Sequence, residues 1–111
     1  MNWLEKCKCY FTESDAVISG VFLKEGDIAA SFKLEVGGQH TGDGKLNVTL
    51  KVVFKDSGRK FYDEFEDLLR REGRVTRSIK GEGHATLSLE LGVRKFRSLM
   101  KKIEGFLGGY G

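Results

Sequence analysis

Apolar and polar residues alternate along most of this chain, the spacing of strands with one buried face. In "IAASFKLEV", Ile28, Ala30, Phe32, Leu34 and Val36 fall on one side and Ala29, Ser31, Lys33 and Glu35 on the other. "LNVTLKVVF" groups Leu46, Val48, Leu50, Val52 and Phe54 in the same way, and "HATLSLE" groups Ala85, Leu87 and Leu89. A weaker strand is expected over Val75 to Lys80, turning through Gly81-Glu82-Gly83. Two more are expected near the N-terminus, over Leu4 to Thr12 and Ala16 to Leu23. "KEGD" (Lys24 to Asp27) supplies a hairpin turn through Gly26.

The period changes to 3.6 in two stretches only. "GRKFYDEFEDLLRREG" (Gly58 to Gly73) puts Phe61, Phe65, Leu68 and Leu69 on one stripe, and Gly73 stands where a C-terminal cap is wanted. "VRKFRSLMKKIEGFLG" (Val93 to Gly108) does the same with Phe96, Leu99, Met100, Ile103 and Phe106. A shift of 35 residues superposes the two helices, and it also lays Leu50, Val52 and Phe54 over Ala85, Leu87 and Leu89. Each half then reads as a hairpin followed by a helix, with an extra hairpin in front. Shared physics suffices to explain the repeat, because a strand and a helix that share one core must repeat their apolar spacing. The expected fold is a single α+β domain over residues 1–111. It has a mainly antiparallel sheet of five to six strands and two amphipathic helices on one face: N-terminal hairpins, then β-α-β-β-α.

The outer faces of the two helices differ. In the first, Asp63, Glu64, Glu66 and Asp67 precede Arg70 and Arg71, an order that suits the helix dipole. The second carries cations from its first turn onward, against the dipole, and local conflicts of this kind gather at functional sites. From Arg70 to Lys102, ten basic residues face only Glu72, Glu82 and Glu90, so this third of a +3 chain carries +7. Such a footprint suits phosphate, whose counterions are released on contact with Lys and Arg. Arg94, Lys95, Arg97, Lys101 and Lys102 are the expected contacts, with Arg74, Arg77 and Lys80 extending the surface. The leading expectation is thus a non-enzymatic protein that binds RNA or DNA by its backbone, with low sequence specificity. The competing readings are an acidic protein surface as partner, and a merely solvated helix face. Base stacking on the sheet, as in RNA-recognition domains, is disfavoured, since the polar faces offer only Tyr10 as an aromatic, with Tyr110 in the tail.

Other chemistry is weakly signalled. Cys7 and Cys9 are one residue apart in a strand pattern, where zinc sites take their pairs from tight turns, so buried inert thiols are expected and no metal. "GGQHTGDGK" (Gly37 to Lys45) fails as a phosphate loop: Gln39 stands at the first glycine position and Leu46 where Ser or Thr belongs, and a strand follows. His40, Asp43 and His84 have no nucleophile at a telling spacing. No cofactor is expected.

At 40% hydrophobic and 32% charged, the composition is that of a globular protein. There is no proline, and the only side-chain amides are Asn2, Gln39 and Asn47, a usage that resembles thermophile proteins. Neither a signal peptide nor a membrane span is visible, and two cysteines do not make a disulfide scaffold, so a cytoplasmic protein without membrane contact is expected.

From Leu46 onward, the order strand, helix, strand, strand, helix resembles the small dimer-forming subunit of the KEOPS tRNA-modification complex. The last strand there runs directly into the final helix, much as "HATLSLELGVRKFRSLMKKIEGFL" does. The likeness implies an alternative role, a dimerising adaptor subunit of a larger complex. It covers a little over half the chain and carries over no functional residue. A homo-oligomer is expected on either reading, since a sheet of this kind has edges to spare.

Overall fold

A computed structural model, describing residues 7–37 and 44–110, shows six strands in one antiparallel sheet and two helices packed on one of its faces. In chain order these are β1 (Cys7–Glu13), β2 (Val17–Lys24), β3 (Asp27–Gly37), β4 (Lys45–Phe54), α1 (Arg59–Arg70), β5 (Arg74–Gly81), β6 (His84–Gly92) and α2 (Val93–Gly108). His40, Asp43 and the start of the first expected strand lie outside the described residues. The α+β class, the N-terminal hairpins and the β-α-β-β-α order agree with the alternation of the sequence.

Strand order is β1-β2-β3-β4-β6-β5, and every neighbouring pair is antiparallel. The 35-residue repeat therefore has a spatial counterpart. Hairpins β3-β4 and β5-β6 meet along their second strands, each followed by its helix. Lys51 lies opposite Thr86, the residue 35 positions on, so a pseudo-two-fold axis passes through that pair. The β2-β3 hairpin turns on Glu25 (φ 53°) and Gly26 (φ 85°), the two left-handed residues of a type I′ turn.

The core lies between sheet and helices. Phe22, Phe32, Leu34, Val48, Leu50, Val52, Ala85, Leu87 and Leu89 line its floor, and Phe61, Phe65, Leu69, Leu99, Ile103 and Leu107 close it from above. Phe61 stacks on Phe22 with ring centroids 4.5 Å apart and also touches the rings of Phe32, Phe65, Phe106 and Tyr110. Tyr62 and Leu107, absent from the expected stripes, are buried as well; Tyr62 stacks on Phe54 and donates to Glu66 at 2.6 Å.

Three expectations need correction. Ile28 does not point inward. A bulge in β3 sets Leu23 opposite Ile28 and Phe22 opposite Ala30, so Ala29 is turned into the core and Ile28 is turned out. The bulge is held from outside the strand, by the Lys55 N–H donating to the Ala29 carbonyl at 2.9 Å. Gly58, before α1, presses so closely there that a Cβ would lie 2.3 Å from the Ala29 oxygen. Gly73, secondly, is not a left-handed cap: α1 ends at Arg70 with a right-handed Arg71, and Gly73 instead lets the chain pass close over Glu90 and Leu91. Tyr110, thirdly, is not a free tail aromatic. It is buried against Phe22, Phe61 and Phe106 and donates to Glu64 at 2.9 Å. No helix among the described residues is long and apolar enough to cross a membrane.

Candidate nucleic-acid interface

The basic residues of α2 are placed by its apolar stripe. With Leu99, Ile103 and Leu107 fixed on the core, helical spacing turns Arg94, Arg97 and Lys101 to the opposite side as one row about 10 Å long. Lys95 and Lys102 lie together on one side of the row, and Lys102 reaches Glu72, just beyond the end of α1. Arg94, Lys95, Arg97 and Lys101 are exposed and make no ion pair among the described residues.

The first turn of α2 opens onto a groove of about 700 Å³ where the ends of β4 and β6 meet the loop between α1 and β5. Lys45, Arg71, Arg74, Arg94 and Lys95 bring cations to it, and Glu72 and Glu90 are its acids. Both acids are already engaged. Glu90 accepts from Arg74 at 3.1 Å and faces Lys45 at 3.5 Å, and Glu72 is paired with Lys102. The Arg74 hydrogen bond, helped by the charge of both cations, holds the Glu90 carboxyl below the usual carboxylate range. Gly92 precedes the helix in extended conformation and no side chain caps it, so the first N–H groups of α2 have no side-chain acceptor where that turn lines the groove. A groove with cations in excess and an uncapped helix start in its lining is chemically suited to anionic oxygens.

The expected extension along β5 divides between two faces. A bulge between Val75 and Arg77 breaks the alternation, so Arg74 opposes Glu90 and Arg77 opposes Ser88 on the helix-free side. Lys80 opposes Ala85 on the helix side, where it lies 5.3 Å above the Tyr62 ring and 3.5 Å from Asp63. Lys80 therefore steadies α1 and does not join Arg74 and Arg77. Sequence reasoning, for its part, singled out neither Arg71 nor Lys45 as a contact. Arg71 was visible within the basic run, whereas Lys45 reaches the groove only through the pairing of β4 with β6.

The other candidate groups stand apart. Cys7 and Cys9 are buried, and desolvation pushes both thiols up, Cys9 to about 11, so neither is a thiolate near neutrality. The His84 ring lies on the helix-free face against Gly81, where a Cβ would come within 2.5 Å of its Nε2. Among the described residues no three His, Cys, Asp or Glu side chains gather as metal ligands. No family model, curated protein or solved structure matches this chain, so the likeness to the KEOPS subunit rests on the order of elements and their apolar spacing.

Proposed function

We propose that this is a small, non-enzymatic nucleic-acid-binding protein that holds the sugar-phosphate backbone with low sequence specificity. The observation that carries the reading is the arrangement of cations about the N-terminal half of α2. Arg71, Arg94, Lys95, Arg97 and Lys101 have no ion-pair partner among the described residues, and the two acids of the adjoining groove are taken by other cations. These side chains do nothing for the core, and their mutual repulsion is relieved when phosphates replace the counterions around them. Arg74, already shared with Glu90, would swing to phosphate at small cost because the pair is exposed.

The test is fluorescence anisotropy of labelled single-stranded RNA, single-stranded DNA and duplex DNA. Replacing Arg94, Arg97 and Lys101 together by Glu should abolish binding and leave the far-ultraviolet circular dichroism unchanged. Undiminished binding by the folded triple variant would remove α2 from the interface. Absence of binding by the wild type at low salt would remove nucleic acid from consideration and direct attention to an acidic protein partner.

A further inference from the structure

Five large apolar side chains are exposed among the described residues, and four of them share the helix-free face of the sheet. These are Tyr10 (57%), Ile28 (52%), Val53 (66%) and Ile79 (42%); only Val93, on α2, lies elsewhere. Scattered exposed apolar residues are ordinary, but clustered ones mark contact surfaces. The register shows that three of them cluster, while Ile79 stands apart on β5 in the row of Thr86 and Lys51. Tyr10 opposes Val21, Val21 opposes Ser31 and Ser31 opposes Val53, forming one row across β1 to β4. Beside that row, Leu23 opposes Ile28, the residue that the β3 bulge turns outward. The next row holds Thr12, Ser19, Lys33 and Lys51.

We propose that a second copy of this chain packs sheet on sheet against this face. The two-fold axis would run parallel to the strands, between β2 and β3. It lays Ile28 on the partner's Leu23, Ser31 on the partner's Val21 and Val53 on the partner's Tyr10. It sets Lys33 and Lys51 over the partner's Ser19 and Thr12, so neither of these two lysines meets a like charge. An axis one strand further on, between β3 and β4, would stack Lys33 on the partner's Lys51. Lys33 and Lys51 therefore favour the first of two placements that the apolar row alone would allow, with Lys8 in the outermost row beside Leu23.

Aligned sheets cross at about 30°, so these pairings hold closest along the central strands. Four strands about 4.8 Å apart and about eight residues long cover roughly 500 Å² per copy, or about 1,000 Å² in all. That is near the lower bound of a specific interface and corresponds to a reversible dimer. Arg74 and Arg77, on β5, stay outside it, so the dimer stands or falls independently of nucleic-acid binding.

Sedimentation velocity over about 1 to 200 μM tests the proposal, a range suited to micromolar dissociation. The wild type should pass from monomer to dimer. The double variant Ile28→Glu with Val53→Glu should remain monomeric with unchanged circular dichroism, and Val93→Glu should dimerise like the wild type. A wild type that is monomeric throughout, or a folded double variant that still dimerises, would overturn the proposal; the latter would indicate pairing through a sheet edge. A second arm does not depend on the double variant folding. A chain carrying Tyr10→Cys and Val53→Cys should cross-link to its partner through a bis-maleimide that spans about 10 Å, the separation of packed sheets, and each single substitution should not. Failure of the pair to cross-link more than the singles would overturn the axis.

Discussion

The two helices solve the same packing problem and then diverge. Both lay Phe, Leu and Ile on one sheet, with Phe61, Phe65 and Leu69 of α1 corresponding to Phe96, Met100 and Glu104 of α2 under the repeat, and Leu99, Ile103 and Leu107 completing the second set. The corresponding residues are thus alike at the start of the helices and not at the end. Outside the core the difference is larger. The charges of α1 are balanced and largely used: Arg70 pairs with Glu66 and reaches Ser78, Asp63 meets Lys80, and Glu64 accepts from Tyr110. Those of α2 are one-sided, five cations against Glu104, and only Lys102 has an ion pair among the described residues. Core geometry constrains apolar spacing in both helices and leaves outer charge free. Charge that a fold does not use is available to a partner.

That comparison can be broken first at its shared part. Phe61→Ala removes the ring at the centre of the aromatic cluster and should cost about 3–5 kcal/mol, read from urea unfolding. A loss below about 1 kcal/mol would mean that the cluster is not the keystone of the core. Gly58→Ala should follow, at about 1–3 kcal/mol, because its Cβ would collide with the Ala29 carbonyl and force the start of α1 away from β3. An unchanged midpoint would show that the turn yields freely. Tyr110→Phe should cost about 0.5–1.5 kcal/mol by removing the hydrogen bond that ties the end of α2 to Glu64 of α1. If stability is unaffected, the two helices are joined by apolar contact alone.

The smallest effect concerns pH. Partial desolvation, followed by the facing Glu104 carboxylate, holds the Glu13 carboxyl above its ordinary range. A raised carboxyl pKa means that the folded state prefers the protonated form. Its stabilising contribution is full below the unfolded value and is lost as pH rises through the folded one. Glu13→Gln should therefore be slightly more stable than wild type at pH 7 and no more stable at pH 3, as measured by thermal unfolding at both values. A variant less stable at pH 7 would show that the carboxylate has a favourable partner.

Much of the fold was legible because alternation and helical spacing are local signals. Leu50, Val52, Phe54, Leu87 and Leu89 all face the core as their spacing requires. What was not legible depends on distant partners. The bulge at Ala29 is held by Lys55 and Gly58 from beyond the next strand, and nothing in "DIAAS" announces it. The bulge in β5 likewise brings Arg74 to the face of Arg77 and separates it from Lys80, with no glycine to mark it. In the candidate interface the row on α2 followed from helical spacing alone, whereas the groove depends on the pairing of β4 with β6 and on the path of Gly73 over Glu90.

The central claim, that the cations of α2 are reserved for phosphate, is best tested by two reversals of equal charge. One variant carries Glu at Arg94, Arg97 and Lys101; the other carries Glu at Lys55, just after β4, and at Arg59 and Lys60, the start of α1. Anisotropy titrations of labelled single-stranded RNA between about 50 and 200 mM salt give the slope of log K against log salt for each, and for the wild type. The account predicts that the α1 variant keeps most of the affinity and slope, while the α2 variant loses binding or flattens the slope by about two, at roughly 0.7 per lost contact on a single strand. Equal losses in both variants would mean that only net charge matters, and the distinction between the two helices would fall.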